Sequence, residues 1–216
     1  MGRSTVAPSA GTGTLACLVA GGVLWTATEY SVHRWVMHGQ GGKNPLSEEH
    51  LDHHANPDRT NPLALDAETL GWKGAGFALV AALTAPFAGT RRASKIATGY
   101  TAGYCGYTWL HDRMHHRPPS GPVTRVLWRN HFRHHFSTPR RNFGVTSPVW
   151  DMVGRTTEGD GPVKVPRRLA MSWLTGDDGE VRADFADDYT LAGSTRRRHS
   201  AEDLRRALAD KAPVAD

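Results

Sequence analysis

The stretch His131-Phe132-Arg133-His134-His135 constrains this chain more than any other. It reads H-x-x-H-H. An α-helix turns about 100° per residue, so the position three on from His131 falls about 60° to one side and the position four on about 40° to the other. The three imidazoles therefore share a helix face, and imidazoles converging on one face suit a transition metal. His50, His53 and His54 repeat the spacing, His33 and His38 form H-x4-H, and His111, His115 and His116 form H-x3-H-H. Eleven of the twelve histidines lie in these four clusters, and His199 alone lies outside. Such a chain is expected to fold so that the four clusters meet.

The donor set narrows the chemistry. Structural zinc is usually four-coordinate and rich in cysteine, and the clusters contain none. Ten or eleven imidazoles exceed the needs of one ion. Two ions with about five nitrogen ligands each is the economical reading, and imidazole suits iron, zinc and copper alike. The Glu-x-x-His pairs of ferritin-like carboxylate sites are absent, as is the H-E-x-x-H of zinc proteases. An all-imidazole di-iron centre would be poorer in electrons than a carboxylate one. That favours a strongly oxidising site able to attack an unactivated C–H bond, with apolar helices holding a lipid-like chain beside it. Glu29, Asp52, Asp112 and Asp151 are candidates to orient ligating imidazoles by hydrogen-bonding to their outer nitrogens, though each would serve equally as a cap or an exposed charge.

The chain has 216 residues, enough for one domain with a sizeable core. Its net charge is +5 with neutral histidines, but the basic residues are not interleaved with aromatics as a nucleic-acid footprint requires. Cys17 and Cys105 sit in apolar stretches without a C-x-x-C partner and read as free thiols buried in helices. No charged residue occurs from Ser4 to Thr28, from Gly74 to Thr90, or from Ile96 to Leu110.

Residues 1–13 read as a disordered start. The loose G-x-G-x-x-A at Gly11 follows no strand and is not a dinucleotide site. A helix is expected from Leu15 to about Val32. One positive charge and the Gly21-Gly22 break argue against a signal peptide. His33 and His38 are five apart, about 140° around a regular helix, so His38 is placed on a frayed turn before Gly39 that folds back to the site. Ser47 is the expected N-cap of a helix carrying His50, His53 and His54 and ending near Asn56-Pro57. Leu70–Ala88 and Ile96–Leu110 read as a helical hairpin joined by Arg91-Arg92-Ala93-Ser94-Lys95. Its second arm is short for a full span and leads into His111. Ser120 is expected to cap the next helix, whose Val123, Leu127, His131 and His134/His135 form one face. Residues 157–216 read as a polar, solvated tail with one short helix from Ser200 to about Lys211.

The chain resembles the fatty acid hydroxylase / sterol desaturase superfamily of membrane-bound, histidine-rich di-iron oxygenases. The resemblance rests on Glu29-Tyr30-Ser31-Val32-His33-Arg34-Trp35-Val36-Met37-His38-Gly39, His50-Leu51-Asp52-His53-His54, His111 to His116, and His131 to His135 with Asn142-Phe143-Gly144-Val145-Thr146-Ser147-Pro148-Val149-Trp150-Asp151. It implies an all-α, membrane-associated helical bundle with a histidine-lined di-metal site at its cytosolic end, spanning residues 14–156. It implies two iron ions, with zinc possible as purified, O2 as co-substrate, and a location in the inner (cytoplasmic) membrane with the histidines facing the cytosol. The implied ligands are His33, His38, His50, His53, His54, His111, His115, His131, His134 and His135. Met37-His38-Gly39 is also similar to β-carotene hydroxylases, whose H-D-x-x-x-H spacing would put His116 in place of His115.

The expected activity is O2-dependent hydroxylation of a lipid-like substrate: a fatty acyl chain, a sterol-like molecule or a carotenoid. A desaturase would use the same site, since both reactions begin with hydrogen abstraction. A histidine-rich metal-binding protein without oxygenase activity is the alternative from another class. No haem or flavin domain fits beside the core, so an external donor (ferredoxin, cytochrome or reductase) is expected to supply electrons.

Overall fold

A computed structural model describes residues 10–57 and 67–193. They are mostly helical, as the sequence predicts, and form two compact units. One comprises residues 10–27 and 67–108 and the other residues 28–57 and 109–193. Helices α1 (Ala10–Ser31) and α4 (Thr90–His116) contribute residues to both.

In the first unit α1, α3 (Ala67–Ala88) and α4 carry the three uncharged runs. The glycine pair does not break α1; Gly21 is required there. A Cβ at Gly21 would stand 2.0 Å from the Ile96 carbonyl oxygen, and one at Gly99 would stand 2.1 Å from that of Leu18. The backbones of α1 and α4 therefore touch through small residues, a close approach typical of apolar helix pairs in lipid. Lys95 donates to Thr14 Oγ1 across the same contact. Trp25 of α1 stacks on Tyr104 of α4 with ring centres 4.7 Å apart. The hairpin junction is the single residue Gly89, at φ +78°. Arg91, Arg92 and Lys95 thus lie in the first turns of α4 rather than in a loop. Two stretches, Gly13–His38 and Leu70–Ala88, are long and apolar enough to cross a membrane. Cys17 and Cys105 are free, but Cys17 is half-buried and Cys105 exposed.

In the second unit, Val32–His38 continues α1 as a π-helix. Helix α2 (Pro45–Ala55) follows, capped by Asn44, whose side chain accepts from the Ser47 N–H. Ser47 is not the cap; its hydroxyl donates to the Met37 carbonyl and ties α2 to the π-turn. Helix α5 (Pro122–Phe136) starts after Gly121, not Ser120. The hydroxyl of Thr124 accepts the N–H groups of both residues. Its buried face is the predicted one only in part: His131, His134 and His135 are buried, but Val123 is exposed and Leu127 half-buried, and Trp128 and Phe132 are buried instead. Helix α6 (Val149–Val153) closes a loop over residues 142–148.

Residues 163–193 do not form a solvated tail. Strands β1 (Val163–Pro166) and β2 (Tyr189–Ala192) pair in parallel, with Val163 opposite Tyr189. Val163, Val165, Met171, Trp173, Leu174, Phe185 and Tyr189 are buried. The segment's mean polarity hid these few, well-spaced apolar residues, and parallel pairing requires a long crossover that leaves no hairpin signal. The Ser200–Lys211 helix and residues 1–9 lie outside the described residues, while Ala10–Gly13 belong to α1 rather than to a disordered start.

Gly21→Ala is expected to destabilise the detergent-purified protein by about the 1–3 kcal/mol typical of overpacking, seen as a lower melting temperature. Gly22→Ala, whose Cβ meets nothing within 4 Å, is expected to leave it unchanged. Equal melting of the two variants would contradict the α1–α4 contact.

Candidate metal centre

Ten imidazoles of the second unit converge in two groups of five. His33, His38, His50, His54 and His134 form the first, and His53, His111, His115, His131 and His135 the second. In each, one ring nitrogen per residue lies within 4.8 Å of all the others. The eleventh clustered histidine, His116, points away and pairs with Asp112 at 3.0 Å. Of the two alternatives at the end of α4, the structure brings His115 into the group.

The π-turn explains the first pair. Because a π-helix bonds i to i+5, His33 and His38 come onto one face, and their ring centres lie 5.1 Å apart. No frayed turn is needed. The two H-x-x-H-H motifs divide in opposite ways. On α2 the i,i+4 pair His50 and His54 enters the first group, and His53 enters the second. On α5 the i,i+4 pair His131 and His135 enters the second group, and His134 enters the first. Adjacent positions differ by about 100°, so a central H-H pair faces two centres rather than one. The signal was in the motif: i+3 and i+4 lie on opposite sides of i. The groups abut where His54 stacks on His135, ring centres 4.0 Å apart and planes within 8°.

The nitrogen geometry fits a shared partner. His50 Nε2 lies 3.0 Å from His33 Nε2, 2.9 Å from His38 Nε2 and 3.1 Å from His54 Nε2. His38 Nε2 lies 2.9 Å from His134 Nε2, and in the second group His131 Nε2 lies 2.9 Å from His115 Nε2. One ring nitrogen offers a single proton or a single lone pair, so His50 cannot hydrogen-bond to three others. Neighbouring nitrogens bound about 2.1 Å from one ion would stand about 3 Å apart, which is the spacing observed. Both ring nitrogens of His53 and of His135 are buried without a hydrogen-bond partner among the described residues. Burial at that cost fits donors aimed at a metal.

Electrostatics keeps the donors available. Burial pushes His50, His54, His111, His115, His131, His134 and His135 well below the ordinary imidazole value, and neighbouring imidazoles add to it. Burial likewise brings His53 down to about 4. The rings are therefore neutral at physiological pH, as ligation requires.

Backbone carbonyls fix two tautomers. His33 Nδ1 donates to the Phe143 carbonyl (2.5 Å) and His134 Nδ1 to the Arg141 carbonyl (2.7 Å), leaving each Nε2 lone pair facing the centre. The carboxylates act one step further out than the sequence suggests. Asp151 accepts the N–H groups of Phe143 (2.8 Å) and Gly144 (2.7 Å), and Glu29 accepts those of Val145 (2.6 Å) and Thr146 (3.0 Å). They hold the loop whose carbonyl orients His33, and their hydrogen bonds among the described residues go to that loop and to Thr156 rather than to an imidazole. Gly144 is needed for this approach, since its Cβ would stand 2.9 Å from Asp151 Oδ2. Asp52 accepts from the Asn56 side chain (3.1 Å) and Asp112 pairs with His116. Sequence reasoning missed the two carbonyls, because a carbonyl's role does not depend on the residue that carries it.

The sequence profile of the fatty acid hydroxylase family matches residues 18–156. The chain is 32% identical over 164 residues to dihydroceramide fatty acyl 2-hydroxylase FAH1 of Arabidopsis thaliana, covering 70% of this chain and 63% of that protein. It is 31% identical to FAH2 of the same plant over 153 residues, covering 66% and 61%. It is 26% identical to fatty acid 2-hydroxylase of Rattus norvegicus over 148 residues, covering 64% and 38%. A solved structure described as full-length scs7p, with only its hydroxylase domain visible, superposes with a TM-score of 0.56 at 27% identity, covering 68% of this chain and 56% of that one. The chain thus spans less than two thirds of the length of each of these relatives.

The neutral rings predict acid lability of the chelator-treated chain. Above pH 6.5 folded and unfolded imidazoles are alike uncharged. As the pH falls from 6.5 through about 4, the unfolded chain binds protons that the folded one refuses, and stability is lost. One ring shifted as far as His53 withdraws on the order of 3 kcal/mol. The melting temperature is therefore expected to fall steeply across that window, and a flat profile would contradict the burial.

Proposed function

The chain belongs to the fatty acid hydroxylase family, and on that premise we propose that it is an O2-dependent di-iron hydroxylase of a lipid-like substrate. The observation that carries the reading is the pair of buried five-imidazole groups. His33, His38, His50, His54 and His134 would hold one iron, and His53, His111, His115, His131 and His135 the other. Imidazole alone does not select iron over zinc or copper; the family supplies that choice. Bound iron would supply the one-electron chemistry that activates O2 toward an unactivated C–H bond, with electrons from a ferredoxin, cytochrome or reductase.

The chain's own residues bind and orient. The π-turn and the H-x-x-H-H helices aim the nitrogens, the carbonyls of Phe143 and Arg141 hold the rings of His33 and His134, and burial excludes water. A fatty acyl chain is the favoured substrate among the lipid-like candidates, because the relatives named above are fatty acyl hydroxylases. The stretches Gly13–His38 and Leu70–Ala88 support a location in the inner membrane. Leu79, Leu83 and Phe87 of α3 are exposed, as lipid-facing side chains would be. The histidine groups would face the cytosol, where a soluble donor is reduced.

Detergent-purified protein given acyl lipid, O2 and dithionite or a surrogate ferredoxin system is expected to yield a product with one added oxygen. His131→Ala and His134→Ala are each expected to lower its formation more than about a hundredfold, beyond the loss typical of outer-shell changes. His116→Ala is expected to retain it. Turnover retained in His134→Ala would contradict the assignment. An alkene product would make the protein a desaturase, and tightly held zinc with no O2 uptake would make it a metal-binding protein.

A further inference from the structure

The segment beyond the family match at residue 156 packs onto one of the two imidazole groups. Trp173 donates its indole N–H to the Met114 carbonyl (3.1 Å), immediately before His115. Its ring lies 5.9 Å from that of Phe132 and 6.0 Å from that of Tyr189, centre to centre. Phe132 is fully buried, and its ring centre lies 5.3 Å from His115, 5.4 Å from His131 and 6.3 Å from His135. All three imidazoles belong to the second group. Charge fastens the same segment to the outer side of α5. Asp188 pairs with Arg125 at 3.6 Å and Arg129 at 3.2 Å, and the buried Arg133 donates to the Gly161 carbonyl (2.5 Å).

The first group is supported from elsewhere: the Phe143 and Arg141 carbonyls, and the Glu29 and Asp151 carboxylates behind the loop. The two groups therefore have separate outer supports, although α2 and α5 serve both.

Building on the di-metal reading, we propose that residues 161–192 are a clamp for the second metal position alone, with Trp173 its positioning residue. Trp173 acts through two contacts: the N–H on Met114 sets the last turn of α4 and with it His115, and the ring backs Phe132 against His115 and His131. An imidazole held by packing rather than by a carbonyl on its Nδ1 depends on such backing. Nδ1 of both His115 and His131 is buried with no hydrogen-bond partner among the described residues. Loosening the clamp should release one metal and spare the other.

The test uses the full iron-loaded chain in detergent and follows iron release to a chelator. Trp173→Phe removes the N–H while keeping an aromatic ring, and is placed in two single-site backgrounds. His38→Ala leaves the second group intact, and His131→Ala leaves the first. Trp173→Phe is expected to speed release at least about tenfold in the His38→Ala background, as loss of an outer-shell partner does, and to leave the His131→Ala background unchanged. Phe132→Leu, a milder loss of the same backing, is expected to repeat the asymmetry. Arg167→Ala, which removes an exposed pair with Glu180 elsewhere in the segment, is expected to have no effect. Equal acceleration in both backgrounds, or none in either, would overturn the clamp. Wild-type protein that binds no iron would instead overturn the di-metal reading, and the clamp with it.

Discussion

The structure depends on imidazole nitrogens brought to about 3 Å of one another in a buried space. Such a cluster is costly. The rings lose water, cannot all hydrogen-bond to each other, and resist protonation. Only a partner that accepts several lone pairs at once compensates them, and a metal cation is such a partner. A bound metal would therefore add to the stability of the second unit, and the elements around the cluster hold the nitrogens in place.

Three devices achieve this. The π-turn brings residues five apart onto one face without ending the helix. The opposite division of the two H-x-x-H-H motifs lets α2 and α5 each serve both groups, which fixes the groups side by side at the His54–His135 stack. The third device is backbone rather than side chain. Carbonyls of the loop after α5 set the tautomers of His33 and His134, and the loop is held by carboxylates from α1 and α6 that accept its N–H groups. In place of carboxylates among the imidazoles, Glu29 and Asp151 stand one layer out. That keeps the inner donors neutral while orienting them.

Much of this was legible in the sequence. The four clusters are legible from spacing, the mostly helical class from apolar periodicity, and a division into two sets of about five imidazoles from donor arithmetic, while the family resemblance implies the ten residues themselves. What escaped has physical reasons. The angle of 140° between His33 and His38 assumed a regular helix, and a π-turn leaves no compositional mark. Reading His131, His134 and His135 as one face hid the 100° between the adjacent pair. Glu29 and Asp151 were suspected of orienting imidazoles, but their partners are backbone N–H groups, to which side-chain reasoning is blind. The fold of residues 163–193 rests on a few buried residues such as Trp173 and Tyr189 that average hydropathy dilutes. The Gly21-Gly22 pair reads as a break in the sequence, whereas Gly21, with Gly99 opposite, is where two helices touch.

The central claim is that two separate all-imidazole sites each hold a metal. X-ray absorption at the iron edge of the iron-loaded protein, with the iron counted on the same sample, tests it most directly. Two irons per chain, as the two groups predict, should appear with a first shell of nitrogen at about 2.1 Å and the outer-shell scattering of imidazole. A single iron per chain, or a shell dominated by carboxylate oxygen or sulfur, would contradict the account.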